Sequence, residues 1–374
     1  MIPYNRQSIN QHDIDSVVEV LNSPLLTQGG YILEFEKRLQ EYCSAPYAIA
    51  VSSGTAALHL SCMALGISEG DIVWTSSNSF VASANCAKYC DADVDFVDID
   101  LSTGCICVEA LRTKLINCEK TELPKLVIVV DYAGHSADLS EIKQLAEEYD
   151  FKIIQDASHS FGASYEGSMV GSAIHADMVT FSFHPIKTMT TGEGGAILTR
   201  DPVLAEKCKI LRTHGIERVS DAEYPWLYQQ DTLGYNYRLS DIHASLGISQ
   251  IARVDNFVDR RNDILNQYRE LLDKVDLVSS TKGKTSGHLA SILLPKGSSL
   301  NTIKKLYEYL KVKNIATQKH YIPIHTQPYY AQLKEYLLPN TWEFYQRQIS
   351  LPNFFELTDD EVSYVIETIN EYLG

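Results

Sequence analysis

Hydrophobic residues in the first two thirds of the chain form short apolar runs that alternate with longer helical patterns. The runs that predict strands are YAIAVSS (47–53), DIVWTS (71–76), DVDFVDID (93–100), KLVIVVDY (125–132), FKIIQDAS (151–158) and ADMVTFSF (176–183). The stretches that predict helices are GTAALHLSCMALG (54–66), SFVASANCAKYC (79–90) and DLSEIKQLAEEYD (138–150). Strands that are apolar on both faces and alternate with helices are typical of a mainly parallel sheet covered on both sides. The sequence therefore predicts a doubly wound α/β domain.

The alternation ends near residue 250, where the pattern of the chain changes. A basic helical stretch, RVDNFVDRRNDILNQYRELLDKV (253–275), leads into a segment with a different mixture of helices and strands. We therefore expect a large domain over residues 12–250 and a smaller α+β domain over residues 251–374, with residues 1–11 as an N-terminal segment.

Composition and charge argue against several classes of protein. The chain has 374 residues, 45% hydrophobic and 21% charged, which is typical of a globular protein with a large core. Its formal net charge of −16 argues against general binding to nucleic acid or to an anionic membrane, so an anionic ligand needs a local site. The start, MIPYNRQSINQHD, has no apolar core, and no run approaches the ~18 apolar residues of a membrane span. We expect a cytoplasmic protein.

The eight cysteines predict free thiols rather than disulfides or a metal centre. They lack paired CxxC spacing and lie mostly within apolar segments. Cys105 and Cys107, in TGCIC, have the character of two zinc ligands, but no second pair completes the set that a structural site needs. We expect no metal.

Ligands in such sheets bind at the carboxyl ends of the strands, so the residues there are the candidates for chemistry. Ser53, Gly54 and Thr55 follow the first strand and open a helix, where free N–H groups favour a phosphate. A plain capping turn explains the same residues. The chain has no GxxxxGK[ST] motif, which argues against a P-loop NTPase.

Two later strand ends carry an aspartate and a lysine. Asp156 follows FKIIQ and is either a turn residue or, opposite a cationic heterocycle, the partner that keeps a ring nitrogen protonated. His159 has two interpretations. It either orients Asp156 or contacts a ring hydroxyl, or it is a buried structural histidine. Lys187 lies between SFHPI and the glycine-rich TTGEGG. It is either a solvated surface lysine or, in a partly dry site, an amine able to form a Schiff base with an aldehyde. Ser182 is placed to donate to a phosphate from the end of its strand.

Phe80, in SNSFVASAN, is a further candidate at a strand-to-helix junction, either stacked on a cofactor or packed in the core. The order of these elements is more specific than any one of them. Phosphate turn, aromatic residue, aspartate and lysine fall successively at strand ends of one sheet, as a single pocket requires.

The residues quoted above belong to blocks that resemble the DegT/StrS-type sugar aminotransferases, which have the aspartate-aminotransferase (type I) fold of pyridoxal phosphate (PLP) enzymes. The resemblance covers nearly the whole chain through SGTAALHL, DASHSFGA, SFHPIKTMTTGEGGA, LGYNYRLSDIHASLGISQ, HYIPIH and SLPNF. Within the family, PYNRQSI, NSPLLTQG and WTSSNSFVASANCAKYCDADVDFVDID look most like the branch of the pseudaminic acid pathway.

The resemblance implies a role for each matching position. Lys187 becomes the Schiff-base lysine that carries PLP and Asp156 the ring-nitrogen partner, both catalytic. The positions that match the cofactor site are Gly54, Thr55, Phe80, Asp156, His159, Ser182, Lys187 and Asn236, the last reaching the cofactor phosphate of the neighbouring subunit. The positions that match the sugar-nucleotide site are Tyr4, Pro24, Leu25, Leu26, Thr27, Gly54, Ser182, Asn236, His320, Tyr321, Ile322 and Pro323. The implied assembly is a homodimer with shared active sites.

The implied reaction is transfer of an amino group from glutamate to the 4-keto group of a UDP-linked deoxysugar. The donor's carboxylates need a cation, and Arg347 and Arg238 are the candidates, with a structural ion pair as the alternative for each. His320 and His325 of HYIPIH have the alternative of a paired metal site, but the block lacks a further ligand, which favours a loop that lines the substrate pocket.

Three rival functions stay open: a dehydratase or an aminotransferase for another keto sugar, a non-catalytic regulator on the same fold, and a dehydrogenase-type nucleotide-binding domain. The regulator would be expected to lose Lys187 or Asp156, and the dehydrogenase would need GxGxxG after the first strand, which VSSGTAAL does not supply.

Overall fold

The fold is seen in a computed structural model that describes residues 1–218, 224–280 and 282–374. Its strands are β1 (Tyr47–Val51), β2 (Ile72–Ser76), β3 (Asp93–Val97), β4 (Leu126–Val130), β5 (Lys152–Asp156), β6 (Ser164–Tyr165), β7 (Ser168–Met169), β8 (Met178–Ser182), β9 (Gly195–Thr199), β10 (Ile216–Arg218), β11 (Tyr228–Gln230), β12 (Asp276–Leu277), β13 (Ala290–Leu293) and β14 (Gln348–Leu351). Its α-helices are α1 (Gln11–Leu21), α2 (Gly30–Cys43), α3 (Gly54–Ala64), α4 (Ala82–Lys88), α5 (Val108–Asn117), α6 (Leu139–Tyr149), α7 (Pro202–Leu211), α8 (Asp241–Ile251), α9 (Val254–Leu271), α10 (Leu300–Val312), α11 (Pro328–Ala331), α12 (Pro339–Arg347) and α13 (Asp359–Leu373).

A seven-stranded sheet lies at the centre, in the order β1-β9-β8-β5-β4-β2-β3. Strands β3, β2, β4, β5 and β8 are parallel neighbours, and β9 is antiparallel to both β8 and β1. Because the parallel strands end on the same edge, the residues that follow β5 and β8 come together. The predicted α/β class with a mainly parallel sheet is confirmed.

Both faces of the sheet are buried, as the apolar runs predict. In β1, Ile49 and Val51 belong to the core on the face covered by α3, whereas Ala48 and Ala50 belong to the core that includes α2 on the opposite face. Helix α3 is apolar around most of its surface and is almost wholly buried, which is the pattern of a helix packed between other elements.

The C-terminal part forms a second, smaller layer. Strands β12, β13 and β14 form an antiparallel sheet that shares a core with α9, α10 and α13. The start of the chain is attached to this layer, because Ile2 forms a parallel bridge with Ile315 and the Asn353 N–H donates to the Tyr4 carbonyl at 3.0 Å. The expected boundary near residue 250 falls at the end of α8, and the division into two domains stays a prediction. Among the described residues, none of the helices has both the length and the apolar character needed to cross a membrane.

Candidate active site

A cavity of about 710 Å³ lies at the carboxyl ends of β5 and β8. It is lined by residues from both layers of the molecule. Those singled out by the sequence are Tyr4, Gly54, Thr55, Phe80, Asp156, His159, Ser182, Lys187, His320, Tyr321 and Ile322.

The first part of the wall is the N-terminus of α3 beside the end of β8. Ser53 is the N-cap of this helix, and its side chain accepts a hydrogen bond from the Ala56 N–H at 3.1 Å. A Cβ at Gly54 would lie only 2.8 Å from the Cβ of Ser182, so glycine is needed for the helix to approach the strand end this closely. The helix N-terminus, Thr55 and Ser182 together suit an anionic phosphate.

Asp156 is held rigidly at the end of β5. Its side chain is buried, and its Oδ2 accepts from Ser83 Oγ at 2.7 Å. Its Oδ1 accepts from Ser158 Oγ at 2.6 Å and from the Ser158 N–H at 3.2 Å. These hydrogen bonds fix the orientation of the carboxylate, whose oxygens are acceptors suited to a protonated ring nitrogen.

Lys187 lies on a tight loop between β8 and β9. The Lys187 N–H donates to the His184 carbonyl at 2.9 Å, and the Thr191 N–H donates to the Phe183 carbonyl at 3.0 Å, which closes the loop. Gly192 has φ +81°, a value that favours glycine. Burial lowers the pKa of Lys187 to about 8, a shift that the charge of Asp156 opposes. About a tenth of this amine is therefore neutral and nucleophilic at pH 7, far more than for a lysine of ordinary pKa.

The opposite wall is a cluster of buried histidines and tyrosines. Tyr321 Oη is 2.9 Å from His159 Nε2, and the two rings are stacked with centroids 6.0 Å apart. His320 Nδ1 is 2.9 Å from Ser350 Oγ. Burial lowers the pKa of His320 to about 3, and burial, followed by the charge of Lys187, holds the pKa of His159 well below its ordinary value. Both imidazoles are therefore neutral at physiological pH.

Phe80 lies at the mouth of the cavity. Its side chain is 58% exposed, and its ring centroid is 6.2 Å from that of Tyr321. The predicted helix over 79–90 is shorter in the structure, Ala82–Lys88, and the residues before it form the loop that presents Phe80. An exposed aromatic face is free to stack on a ring bound in the cavity.

Three other expectations lie outside this cavity in the single chain. Residues 24–27 are exposed in the loop between α1 and α2, and Pro323 lies just beyond the lining segment 318–322. Asn236 is exposed and forms an antiparallel bridge with Thr213. The roles assigned to these residues by resemblance stay predictions.

Neither candidate arginine lines the cavity. Arg347 is buried in the C-terminal layer, where it contacts Asp276 at 3.3 Å and Glu343 at 2.8 Å and donates to the Leu294 carbonyl at 2.7 Å. These contacts favour the structural ion pair for Arg347. Arg238 forms a backbone bridge with Val51 at the end of β1.

The two histidines of HYIPIH have separate partners. His320 contacts Ser350, whereas His325 Nδ1 is 2.7 Å from Ser77 Oγ. Within residues 1–218, 224–280 and 282–374, no group of three or more His, Cys, Asp or Glu side chains is arranged to hold a metal ion.

Among the residues of the cavity wall that sequence reasoning missed, four hold Asp156 or bring a charged group to the cavity. Ser83 and Ser158 hold Asp156, Asp131 lies at the end of β4, and Lys319 precedes the HYIPIH block. Ser158 and Asp131 had a signal, because each is among the last residues of a run that predicts a strand. Ser83 and Lys319 had none, because each reaches the site from a helix or loop whose position depends on tertiary packing.

The residues of the cavity fit pyridoxal phosphate. His159 Nδ1 is buried without a hydrogen-bond partner, which leaves a polar atom for a ligand group. The remaining features fit the three polar parts of the cofactor: a helix N-terminus for the phosphate, a buried carboxylate for the ring nitrogen and an amine of lowered pKa for the aldehyde.

Comparison with known proteins agrees with a site for this cofactor. A family model described as the DegT/DnrJ/EryC1/StrS aminotransferase family matches residues 7–370. The chain is 37% identical over 374 residues to the UDP-4-amino-4,6-dideoxy-N-acetyl-beta-L-altrosamine transaminase of Campylobacter jejuni subsp. jejuni serotype O:23/36, covering 99% of this chain and 96% of that protein.

Two solved structures are also similar to it. A sugar aminotransferase of Streptococcus pneumoniae, Spr1654, in its PMP-form superposes with a TM-score of 0.93 at 28% identity, covering 99% of this chain and 98% of that one, and it is also solved in a PLP-form. Helicobacter pylori PseC, an aminotransferase involved in the biosynthesis of pseudoaminic acid, superposes with a TM-score of 0.90 at 30% identity, with the same coverage.

Proposed function

The chain belongs to the DegT/DnrJ/EryC1/StrS aminotransferase family, and we propose that it moves an amino group from glutamate to the 4-keto group of a UDP-linked deoxysugar in the pathway to pseudaminic acid. The family match confirms the predicted enzyme class, a PLP-dependent sugar aminotransferase, and the similar structures confirm the predicted cofactor. The sugar, the donor and the roles of individual residues are the proposed part.

One observation carries the proposal: Lys187 and Asp156 line the same cavity, beyond and at the ends of adjacent strands, with the N-terminus of α3 beside them. We assign Lys187 as the residue that carries PLP and Asp156 as the partner of its ring nitrogen. When bound, PLP supplies an electron sink for the α-carbon of the amino donor. The phosphate contacts are assigned to Gly54, Thr55 and Ser182.

The chain's own residues then carry the proton transfers. With PLP bound, Lys187 Nζ as a free neutral amine would take the proton from the α-carbon of the donor and hold it. Asp156 is held in a fixed orientation because Ser83 and Ser158 donate to its two oxygens. In the second half of the cycle Lys187 would work in the reverse direction and give a proton to the sugar carbon that carried the keto oxygen. The neutral His159 and His320 do not compete with Lys187 for the proton at working pH.

The sugar nucleotide is proposed to bind against the opposite wall. Tyr4, His320, Tyr321 and Ile322 line it, and their rings and apolar surfaces suit a deoxysugar that has lost a hydroxyl. The similarity to the altrosamine transaminase and to PseC supports this choice of substrate.

The proposed assembly is a homodimer in which each subunit completes the other's site. Residues 24–27 and Asn236 are exposed in the single chain, and Leu25 and Leu26 are 56% and 43% exposed, so these segments are available to a second copy. In that arrangement Asn236 reaches the phosphate of the partner's cofactor, and residues 24–27 and Pro323 border the sugar nucleotide.

All eight cysteines are free thiols, which supports the proposed location in the cytoplasm.

A product assay tests this function. The PLP-loaded protein is incubated with ¹⁵N-amino glutamate and a UDP-linked 4-keto-6-deoxysugar, and the sugar product is identified by mass spectrometry and NMR. We expect ¹⁵N at C4 of the sugar together with 2-oxoglutarate. Amination of GDP- or dTDP-linked keto sugars while the UDP-linked sugar is left unchanged would contradict the proposed substrate.

A further inference from the structure

A second carboxylate, Asp131, lies at the floor of the same cavity and has no part in the mechanism above. It follows β4 directly, and its neighbour Val130 pairs with Asp156 on β5. Its side chain has no exposed surface. A buried carboxylate is costly unless its oxygens are satisfied, so its partners indicate what it is there to hold.

Those partners flank the segment that carries Asp156 and His159. Gln155 Nε2, immediately before Asp156, donates to Asp131 Oδ2 at 2.7 Å. Ser160 Oγ, immediately after His159, donates to the same oxygen at 2.5 Å. The Asp131 N–H also donates to the Asp156 carbonyl at 3.0 Å. One side chain therefore ties together both ends of the turn over residues 156–159.

We propose that Asp131 is a positioning residue, which fixes Asp156 and His159 in the cavity by clamping the turn between them. The inference rests on the roles proposed for Asp156 and Lys187. A carboxylate that only satisfied donors of the sheet would bond to any nearby groups, whereas both side-chain donors to Asp131 are the residues that bracket the turn. Its remaining bond, from the Ala137 N–H to Oδ1 at 3.1 Å, attaches the clamp to the loop after β4.

The charge of Asp131 acts in the same direction as the clamp. Burial raises its pKa to about 7, the donors from Ser160, Ala137 and Gln155 oppose that rise, and the charge of Asp156 adds to it. The Cys105 thiol, whose own pKa is raised chiefly by burial and also by Asp131, is the other titratable group that faces it. Replacing Asp131 with asparagine removes the negative charge that this carboxyl carries as the pH rises through about 7, and it loosens the turn. Both changes weaken the hold on a protonated ring.

The test compares three variants with wild type. Asp131→Asn keeps the shape and removes the charge. Ser160→Ala removes one bond of the clamp and leaves the charge, and the Ser160 hydroxyl also lies 3.4 Å from the Ala157 carbonyl, so its loss is local. Thr75→Val is the matched control, because it removes one buried bond, from Thr75 Oγ1 to the Ile128 carbonyl at 2.9 Å, elsewhere in the same sheet.

Two quantities are measured for each protein loaded with PLP, with the melting temperature alongside. One is the midpoint of a pH titration of the visible absorbance of the bound cofactor, and the other is the rate of its conversion by saturating and limiting glutamate. For Asp131→Asn we expect the midpoint at lower pH, a limiting rate lowered about 10- to 100-fold and a KM for glutamate within about twofold of wild type. Ser160→Ala should shift the midpoint in the same direction by less, and Thr75→Val should match wild type.

The outcomes separate this inference from the function on which it rests. A wild-type protein that binds PLP and responds to glutamate, with an unchanged midpoint and rate in Asp131→Asn, would overturn the positioning role alone. If Asp131→Asn does not fold, Ser160→Ala decides, and a midpoint equal to that of Thr75→Val would overturn it. A wild-type protein that ignores both PLP and amino donors would overturn the proposed function and this inference together.

Discussion

The two walls of the cavity differ in how they are built and in what they carry. The sheet wall consists of residues that end a strand, follow one or open a helix, namely Gly54, Asp156, Ser182 and Lys187, and it holds a lysine and a carboxylate. The opposite wall joins Tyr4 to residues 318–322, from the N-terminal segment and the C-terminal layer, and its histidine, His320, is neutral because burial lowers its pKa. The sheet wall therefore has the groups for chemistry on a cofactor, and the opposite wall has the shape and hydrogen bonds for selecting a substrate.

The largest loss of activity is expected when the amine of the sheet wall is removed. We expect Lys187→Ala and Lys187→Arg each to lower kcat by on the order of 10⁴-fold or more, because neither side chain forms a Schiff base and returns the proton. Lys305→Ala, at an exposed position on α10, is the control and should be fully active. Steady-state rates with glutamate and the sugar nucleotide measure the effect. Substantial turnover in Lys187→Arg would place the chemistry elsewhere.

Removal of the carboxylate charge should have the next largest effect. In Asp156→Asn, Ser83 and Ser158 retain a side chain to bond, so the turn is kept while the partner of the ring nitrogen is lost. We expect kcat to fall about 10²–10³-fold with little change in the KM of the sugar nucleotide. Single-turnover rates of the glutamate half-reaction check this. An effect confined to the KM of the sugar would assign Asp156 to the substrate wall instead.

The lowered pKa of Lys187 predicts how cofactor attachment depends on pH. Only the neutral amine attacks an aldehyde, and since the pKa is about 8 the neutral fraction rises with pH up to that value. The attachment rate constant of PLP to the cofactor-free protein should increase about 100-fold from pH 6 to a plateau above pH 8. Because the charge of Asp156 raises this pKa, Asp156→Asn should move the midpoint to lower pH. A midpoint near 10 in wild type would contradict the burial of this amine.

On the opposite wall, loss of one hydroxyl should have a smaller effect. Tyr321→Phe removes the 2.9 Å contact with His159, and we expect the KM of the sugar nucleotide to rise by about tenfold at most while the glutamate half-reaction changes little. Tyr330→Phe is the matched control, because it loses a buried 2.7 Å bond to Asn85 outside the cavity. If Tyr321→Phe instead slows the glutamate half-reaction, it is wrong to assign cofactor chemistry to the sheet wall and only substrate selection to the opposite wall.

The smallest effect on activity is expected for Arg347. Its bonds to Asp276, Glu343 and the Leu294 carbonyl predict that Arg347→Met lowers the free energy of unfolding by about 1–3 kcal/mol and leaves the KM of glutamate unchanged. Urea denaturation and steady-state kinetics measure the two quantities. Arg238→Met is the comparison, and a raised KM for glutamate in Arg238→Met alone would assign the donor clamp to that residue.

The residues of the sheet wall could be predicted from the sequence pattern, whereas most residues of the opposite wall could not. Strand periodicity placed Gly54, Asp156, Ser182 and Lys187 at strand ends, and parallel strands end on one edge. Periodicity gives no reason for Tyr4 to lie beside His320, because that contact depends on the first residues pairing with the C-terminal layer. Only the family resemblance pointed to those residues. Ser83 was missed for a related reason, since its bond to Asp156 depends on how α4 packs against the sheet.

The most direct test of the account is to identify the residue that carries the cofactor. The PLP-loaded protein is reduced with borohydride and digested, and the pyridoxyl-labelled peptide is sequenced by mass spectrometry. We expect a single pyridoxyl label on Lys187, within FSFHPIKTMTTGEGGAIL, and no labelled lysine when glutamate has first converted the cofactor. A label on Lys319, the other lysine that lines the cavity, or on no lysine at all, would contradict it.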